Sequence, residues 1–264
     1  MECFRANDPD KVLCVGSFMM SATRQISNRR ELFGASGPEL LAATDGEINF
    51  LWSFIQGSIM IPETWNALLR NYGFCERHAW IHIAVEMSFR EEYLLGPTIL
   101  YSALVERSLR AVSTRRIIGP HLLTGQLRGT HRCLLCTMNL GSASVGSYPK
   151  ARLDQGRDGS RLQSFAAKLE PLWRGSLCSD CSGQHNNGVR PKRCRQHLVA
   201  AMKAGLPTDI GVQRNMLRIL SDRLARYQDS FVVGRPKASN QDRAALIAAI
   251  GWCSGWRPLL AQLS

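Results

Sequence analysis

The sequence predicts a mainly α-helical protein that carries metal-ligating half-sites. Three observations carry this expectation: apolar residues recur at helical spacing in several segments, no convincing run of alternating strand residues is present, and Cys-x2-Cys and Cys-x2-His pairs recur along the chain. With 264 residues, 45% hydrophobic and 8% aromatic, the chain has an ordinary globular composition and can form a sizeable core.

The expected elements follow in chain order. The apolar stretch Ile48 to Ile61 is interrupted by Asn49, Gln56 and Gly57 and stops at Pro62, so it reads as a buried helix too short and too polar to span a bilayer. Cys75 to Met87 runs without Gly or Pro, with Gly73 before it as a turn, and predicts a helix leaving a Cys-x2-His pair. Thr98 to Val112 has Leu100, Ala103, Leu104 and Leu109 apolar, with Glu106, Arg107 and Arg110 polar. Gly141 to Ser160 and Cys178 to Pro191 are rich in Gly, Ser and charge and predict loops. His197 to Gly205 reads as a short helix, and Leu217, Leu220, Leu224 and Tyr227 form the apolar stripe of another. A last helix begins at Ser239, with Asp242 three residues on in a capping-box arrangement. Cys253, at helical spacing from Leu246, Ala249 and Ile250, is expected in the core.

One spacing occurs twice. Cys14 precedes Cys75 by 61 residues and Cys133 precedes Cys194 by 61, and one offset of 119 superposes Cys14, Ser17, Cys75 and His78 on Cys133, Cys136, Cys194 and His197. This predicts a duplicated half with an intact Cys3His zinc site at Cys133, Cys136, Cys194 and His197, and a degenerate, metal-free site at Cys14, Cys75 and His78. The expected organisation is a first helical repeat over 1–118, a second over 119–206 and C-terminal helices over 207–264. Cys178-Ser-Asp-Cys181, twelve residues before Cys194-x2-His197, offers an alternative pair of ligands with a compact finger-like spacing. Four thiols from Cys133, Cys136, Cys178 and Cys181 would instead suit an iron–sulfur cluster.

The order of these motifs, with Gly73-Phe-Cys-Glu-Arg-His-Ala-Trp80, Cys133-Leu-Leu-Cys136 and Cys194-Arg-Gln-His-Leu198 as the matching pieces, resembles a prokaryotic domain family of unknown function with paired cysteine half-sites. The tail is similar too, with a helix around Leu217 to Tyr227, a basic hinge at Val233-Gly-Arg-Pro-Lys237 and a closing helix to Gly251. The resemblance implies a helical metal-binding fold and no particular reaction. The chain departs from the pattern at Ser17, where a cysteine is expected, and in its extra Cys178/Cys181 pair.

Charge and composition narrow the function. Net charge is +12, with Arg supplying 27 of 33 basic residues, and Arg190, Lys192, Arg193 and Arg195 crowd the second Cys-x2-His pair. A basic rim on a metal knuckle makes these four the candidate nucleic-acid contacts, the partner being a protein or a nucleic acid. No nucleotide-binding glycine loop, nucleophile elbow, His-Glu-x2-His or deaminase signature is present, so a non-enzymatic role is expected, with no small-molecule substrate evident. Glu86, Glu91 and Glu92 follow His78 and His82, but acids along a helix are expected to face solvent. A thiol–disulfide redox protein using one Cys-x2-Cys pair is the alternative. The polar, acid-bearing N-terminus predicts no secretory leader and a cytoplasmic location, where nine cysteines favour metal ligation over disulfides.

Overall fold

The computed structural model describes residues 3–5, 12–14, 41–57, 59, 61–91, 93–114, 120–141, 148–183 and 192–263. The fold is mainly α, as the sequence predicts. Two three-residue strands, β1 (Cys3–Arg5) and β2 (Val12–Cys14), pair antiparallel with Cys3 opposite Cys14. Ser17 and Arg190, singled out above, lie outside the described residues.

Helix α1 (Asp45–Gln56) starts at a full capping box: the Thr44 hydroxyl accepts from the Glu47 amide, and the Glu47 carboxylate accepts from the Thr44 amide. Pro62 occupies the first turn of α2 (Pro62–Asn71), where its missing N–H costs nothing. Tyr72 and Gly73 then take left-handed conformations at φ 59° and 79° and redirect the chain into α3 (Glu76–Arg90). A β-carbon on Gly73 would meet Leu104 Cδ1 at 3.1 Å, so the turn is also a close approach to α4 (Leu95–Ser113).

Helix α3 is buried continuously from His78 to Ser88, which explains why it shows little amphipathic periodicity: neighbours cover it on all sides. It packs on α1, on α7 (Lys150–Arg157), on α8 (Ser160–Trp173) and on the closing α13 (Arg257–Leu263). Helix α11 (Ile210–Asp229) lies against α4 and α12 (Asn240–Ser254), and α12 lies against α8. One hydrophobic core takes residues from Ala43 to Leu259, and each fully buried Leu, Ile or Phe in it contributes roughly 1.5–3 kcal/mol relative to exposure. The short elements α5 (Pro120–Leu127), α6 (Leu134–Met138), α9 (Ser179–Ser182) and α10 (Arg195–Lys203) border the cysteine motifs.

The predicted helices from Ile48, Cys75, Thr98, His197 and Leu217 are present, and Ser239 and Asp242 form the expected capping box. The expectation of a loop from Gly141 to Ser160 is corrected, because α7 lies inside it. There Lys150 pairs with Asp154 at 2.6 Å, Asp154 pairs with Arg157 at 2.7 Å, and Arg157 pairs with Asp45 of α1. These ion pairs and the partly buried Leu153 support a helix that composition alone disguises. The expected Cys178–Pro191 loop likewise holds α9.

Candidate metal centres

Two Cys/His clusters form, each with four side chains whose ligand atoms all lie within 4.8 Å of one another. The first joins Cys75 and His78 to Cys133 and Cys136, and the second joins Cys178 and Cys181 to Cys194 and His197. The predicted grouping of Cys133 and Cys136 with Cys194 and His197 is therefore corrected: these pairs belong to separate clusters. The expectation of a degenerate first site is corrected too, since Cys75 and His78 have a full complement of partners without Cys14, whose backbone lies opposite Cys3. The four thiols considered for an iron–sulfur cluster divide two and two between the clusters.

The Cys-x2-His halves are built alike. Cys75 and Cys194 are the N-cap residues of α3 and α10, with backbone angles of −66°, 170° and −67°, 163°. Each carbonyl accepts the first helical hydrogen bond, from Ala79 at 2.9 Å and Leu198 at 2.8 Å. A cap residue and the third helical residue face the same side, which brings Sγ and Nδ1 to 3.2 Å in the first cluster and 3.3 Å in the second. The Cys-x2-Cys halves also sit on helix starts, with Cys133 and Cys178 capping α6 and α9.

The chain order of these halves differs between the clusters, and so does the means of closing them. In the first, α3 and α4 carry the chain away and back, and Asn71 fixes the return: its Oδ1 accepts from the His131 amide at 2.8 Å and its Nδ2 donates to the Arg132 carbonyl at 3.2 Å. The Tyr72 hydroxyl donates to the Gln126 carbonyl at 2.7 Å. This pins the backbone immediately before Cys133. In the second, the Ser179 amide donates to the Lys192 carbonyl at 2.9 Å, zipping the two halves together across a short excursion.

The separations are those of a tetrahedral ion. Zinc bonds of about 2.3 Å to sulfur and 2.0–2.1 Å to nitrogen imply tetrahedral edges of about 3.8 Å between sulfurs and about 3.5–3.6 Å between sulfur and nitrogen. Cys75 and Cys136 sulfurs are 3.7 Å apart, and Cys181 and Cys194 sulfurs 3.9 Å. His78 Nδ1 lies 3.5 Å from Cys133 Sγ and 3.3 Å from Cys136 Sγ, and His197 Nδ1 lies 3.3 Å from Cys178 Sγ and 3.4 Å from Cys181 Sγ. Both clusters can hold a metal ion.

The electrostatics calls for positive charge. Hydrogen bonding among the sulfurs pulls Cys133 and Cys178 far below the ordinary thiol range, and the same neighbours push Cys75 and Cys194 far above it. Burial opposes protonation of His78, but hydrogen bonds to Cys133, Cys136 and Glu47 outweigh it and raise the imidazole to about 11. Hydrogen bonds to Cys178 and Cys181 raise His197 to about 10 against its burial. An imidazolium sets one positive charge against three sulfurs; a divalent ion supplies two and takes the Nδ1 lone pair as a ligand.

The surroundings of the two histidines differ. His78 Nε2 lies 2.8 Å from Glu47 Oε1, and with Nδ1 turned to the sulfurs it is Nε2–H that donates. Burial would raise Glu47, but hydrogen bonds from His78, Arg77 and the Thr44 amide hold its carboxyl at about 2. Arg77 bridges that carboxylate, at 2.9 Å through Nη2, to the Ala42 carbonyl at 2.6 Å. Glu47 was not singled out from the sequence; Thr44 followed by an acid three residues later, just before an apolar run, was the available signal.

The residues between the ligands also have work. Glu76 accepts from the Arg257 amide at 3.0 Å and faces Gly255, whose φ of 121° and lack of a β-carbon allow that contact. Arg195 donates to the carbonyls of Cys253 and Leu127, both at 2.8 Å, and Gln196 donates to the Ser254 carbonyl at 2.8 Å. Ser254 in turn donates to the Phe74 carbonyl, and Trp80 to that of Gly255. Both Cys-x2-His motifs thus grip the turn between α12 and α13.

Of the four residues of the expected basic rim, Arg193 and Arg195 are turned into the fold, whereas Lys192 is exposed and Arg190 lies outside the described residues. Arg195 is buried and lies 4.4 Å over the Tyr72 ring, with Arg107 4.2 Å from the same ring. Arg193 pairs with Asp180 at 3.1 Å and donates to the Pro207 carbonyl, while Lys192 donates to the Gly175 carbonyl. These side chains tie the knuckle to the fold. Glu86 is also corrected from an expected solvent position: it is buried, 3.2 Å from His82 Nε2 but not aligned for a hydrogen bond, and the His82 ring packs between Phe54 and Phe74.

Fold and clusters together define a mainly α-helical protein with two Cys3His centres able to hold metal. In comparison with known proteins, no family model, no curated protein and no solved structure matches the chain. Among the described residues no helix is long and apolar enough to cross a membrane.

Proposed function

We propose that the chain is a non-enzymatic interaction module whose two Cys3His centres bind structural zinc. The observation that carries this reading is the convergence of three sulfurs and one Nδ1 in each cluster at tetrahedral edge lengths. Four protein ligands fill a zinc coordination sphere and leave no place for a substrate, which is the arrangement of structural rather than catalytic sites. The positions of the ligands give the metal a mechanical task. Each ion joins two helix starts, distant in sequence at the first centre and close at the second, and the residues between the Cys and His of each Cys-x2-His pair hold the α12–α13 turn. Metal binding is then part of the folding free energy, with apparent values of about 10–16 kcal/mol per site known for zinc-finger peptides.

Elemental mass spectrometry with an absorbance spectrum, on protein purified without added metal or chelator, tests this. Two zinc ions per chain in colourless protein are expected. Iron with visible absorbance would replace the reading with the iron–sulfur alternative, and metal-free folded protein with titratable thiols would replace it with the redox one.

A further inference from the structure

We infer that the face formed by the end of α3, by α8 and by the junction of α11 with α12 is a binding track for single-stranded nucleic acid. It rests on the interaction-module reading and names that module's partner. Lys192, Arg193 and Arg195, expected from the sequence to contact nucleic acid, donate to backbone or pair with Asp180, whereas this face brings cations and aromatic rings together from four separate segments.

Tyr93, 44% exposed, lies with its ring centroid 4.9 Å from that of Phe231 at an interplanar angle of 76°, and Phe231 lies 5.1 Å from Tyr227 at 32°. These rings border a cavity of about 280 Å³ whose wall also carries Lys237 and Arg243. A second cavity of about 90 Å³ continues past Phe165 and Arg243 to Lys168. Among the described residues no ion pair occupies Lys168, Lys237 or Arg243; Asp242, beside Arg243, is taken by Arg226 at 3.0 Å and by Ser239 at 2.6 Å.

The chemistry follows from these parts. A cavity of this size bordered by an exposed ring admits one unpaired base, and stacking on a ring is tolerant of sequence because every base has a π-face. Lys168 and Lys237, on two adjoining cavities that share Phe165 and Arg243, suit a backbone that passes along them, and the net charge of +12 favours a polyanion over an isolated small ligand. Glu91 is the carboxylate on the first cavity's wall, an acceptor suited to a base amino group or a sugar hydroxyl and unsuited to a phosphate. A paired base presents no free face, so a duplex does not fit.

The test is fluorescence anisotropy of a labelled oligothymidylate of about 15 nucleotides, within the span of known single-strand sites, at several salt concentrations. The full chain is compared with Lys168→Glu/Lys237→Glu, with Tyr93→Ala and with the charge-matched control Arg70→Glu/Arg110→Glu on α2 and α4. The track predicts binding weakened about 10-fold or more by the lysine pair, with the salt slope reduced by about 1.4 for two lost phosphate contacts, and about 5-fold or more by Tyr93→Ala, with little change in the control. No binding, equal weakening in the control, a duplex bound as tightly as the single strand, or thymidine monophosphate competing as well as the oligonucleotide would each overturn it. Zinc content is measured on every variant: loss of the oligonucleotide with zinc retained bears on the track, and loss of zinc bears on the module.

Discussion

Glu47 Oε1 accepts a hydrogen bond from His78 Nε2 at 2.8 Å across 31 residues, so the first turn of α1 sets the ring whose Nδ1 faces three sulfurs. Among the described residues no such partner is seen at His197, and the two centres should therefore respond differently to the loss of the Glu47 carboxylate. Glu47→Gln keeps the shape and the cap but removes the charge. Zinc affinity at the first centre should fall about 10- to 100-fold while the second is unchanged, as read by competition with a chromophoric chelator. Equal affinities at both centres before and after the change would remove the role given to Glu47.

Arg195 should behave as a structural residue despite its charge. Its guanidinium is buried and donates to two carbonyls, at Cys253 and Leu127, and Arg195→Met removes both bonds. Hydrogen bonds from charged groups contribute about 1.5–3 kcal/mol each, so unfolding by urea should show a loss of about 3 kcal/mol or more. Arg195→Lys should recover little, because an ammonium cannot present the planar fork that reaches both carbonyls. A change below about 1 kcal/mol in either variant would contradict the clamp.

Much of this was legible in the sequence, and the parts that were not share a physical cause. Cys75-x2-His78 and Cys194-x2-His197 announced themselves, because a cap residue and a third helical residue face one another within a single turn. Ser239 and Asp242 announced their cap in the same local way. Which Cys-x2-Cys closes which centre is not a local property. Cys75 and Cys136 are also 61 residues apart, so the interval that suggested a duplication fits the true pairing equally well. The decisive contacts are Asn71 on the backbone before Cys133 and Ser179 on Lys192, and neither residue type carries a signature for that use. The same limit explains α7, whose ion pairs were hidden in a stretch read as a loop, and Tyr93, which meets Phe231 only through the tertiary fold.

Cys253 gives a prediction for alkaline conditions. It is fully buried, and burial pushes its thiol up to about 12, with Arg195 opposing weakly. The folded protein therefore keeps a proton that the unfolded chain, with a thiol pKa of about 8.5, releases. Stability from this group is present in full below about pH 8.5 and is lost as the pH rises towards 12. Cys253→Ala removes the thiol, so the stability difference between wild type and variant should shrink over that window, as followed by denaturant midpoints in steps of pH. A constant difference would show that Cys253 titrates normally.

The pairing of the ligands is the central claim, and zinc stoichiometry in two double variants tests it most directly. Cys75→Ser/Cys133→Ser damages one centre twice and should retain one zinc per chain. Cys133→Ser/Cys194→Ser damages both centres and should retain none. One zinc per chain in the wild type and none in either variant would contradict the account and restore a single centre built from Cys133, Cys136, Cys194 and His197.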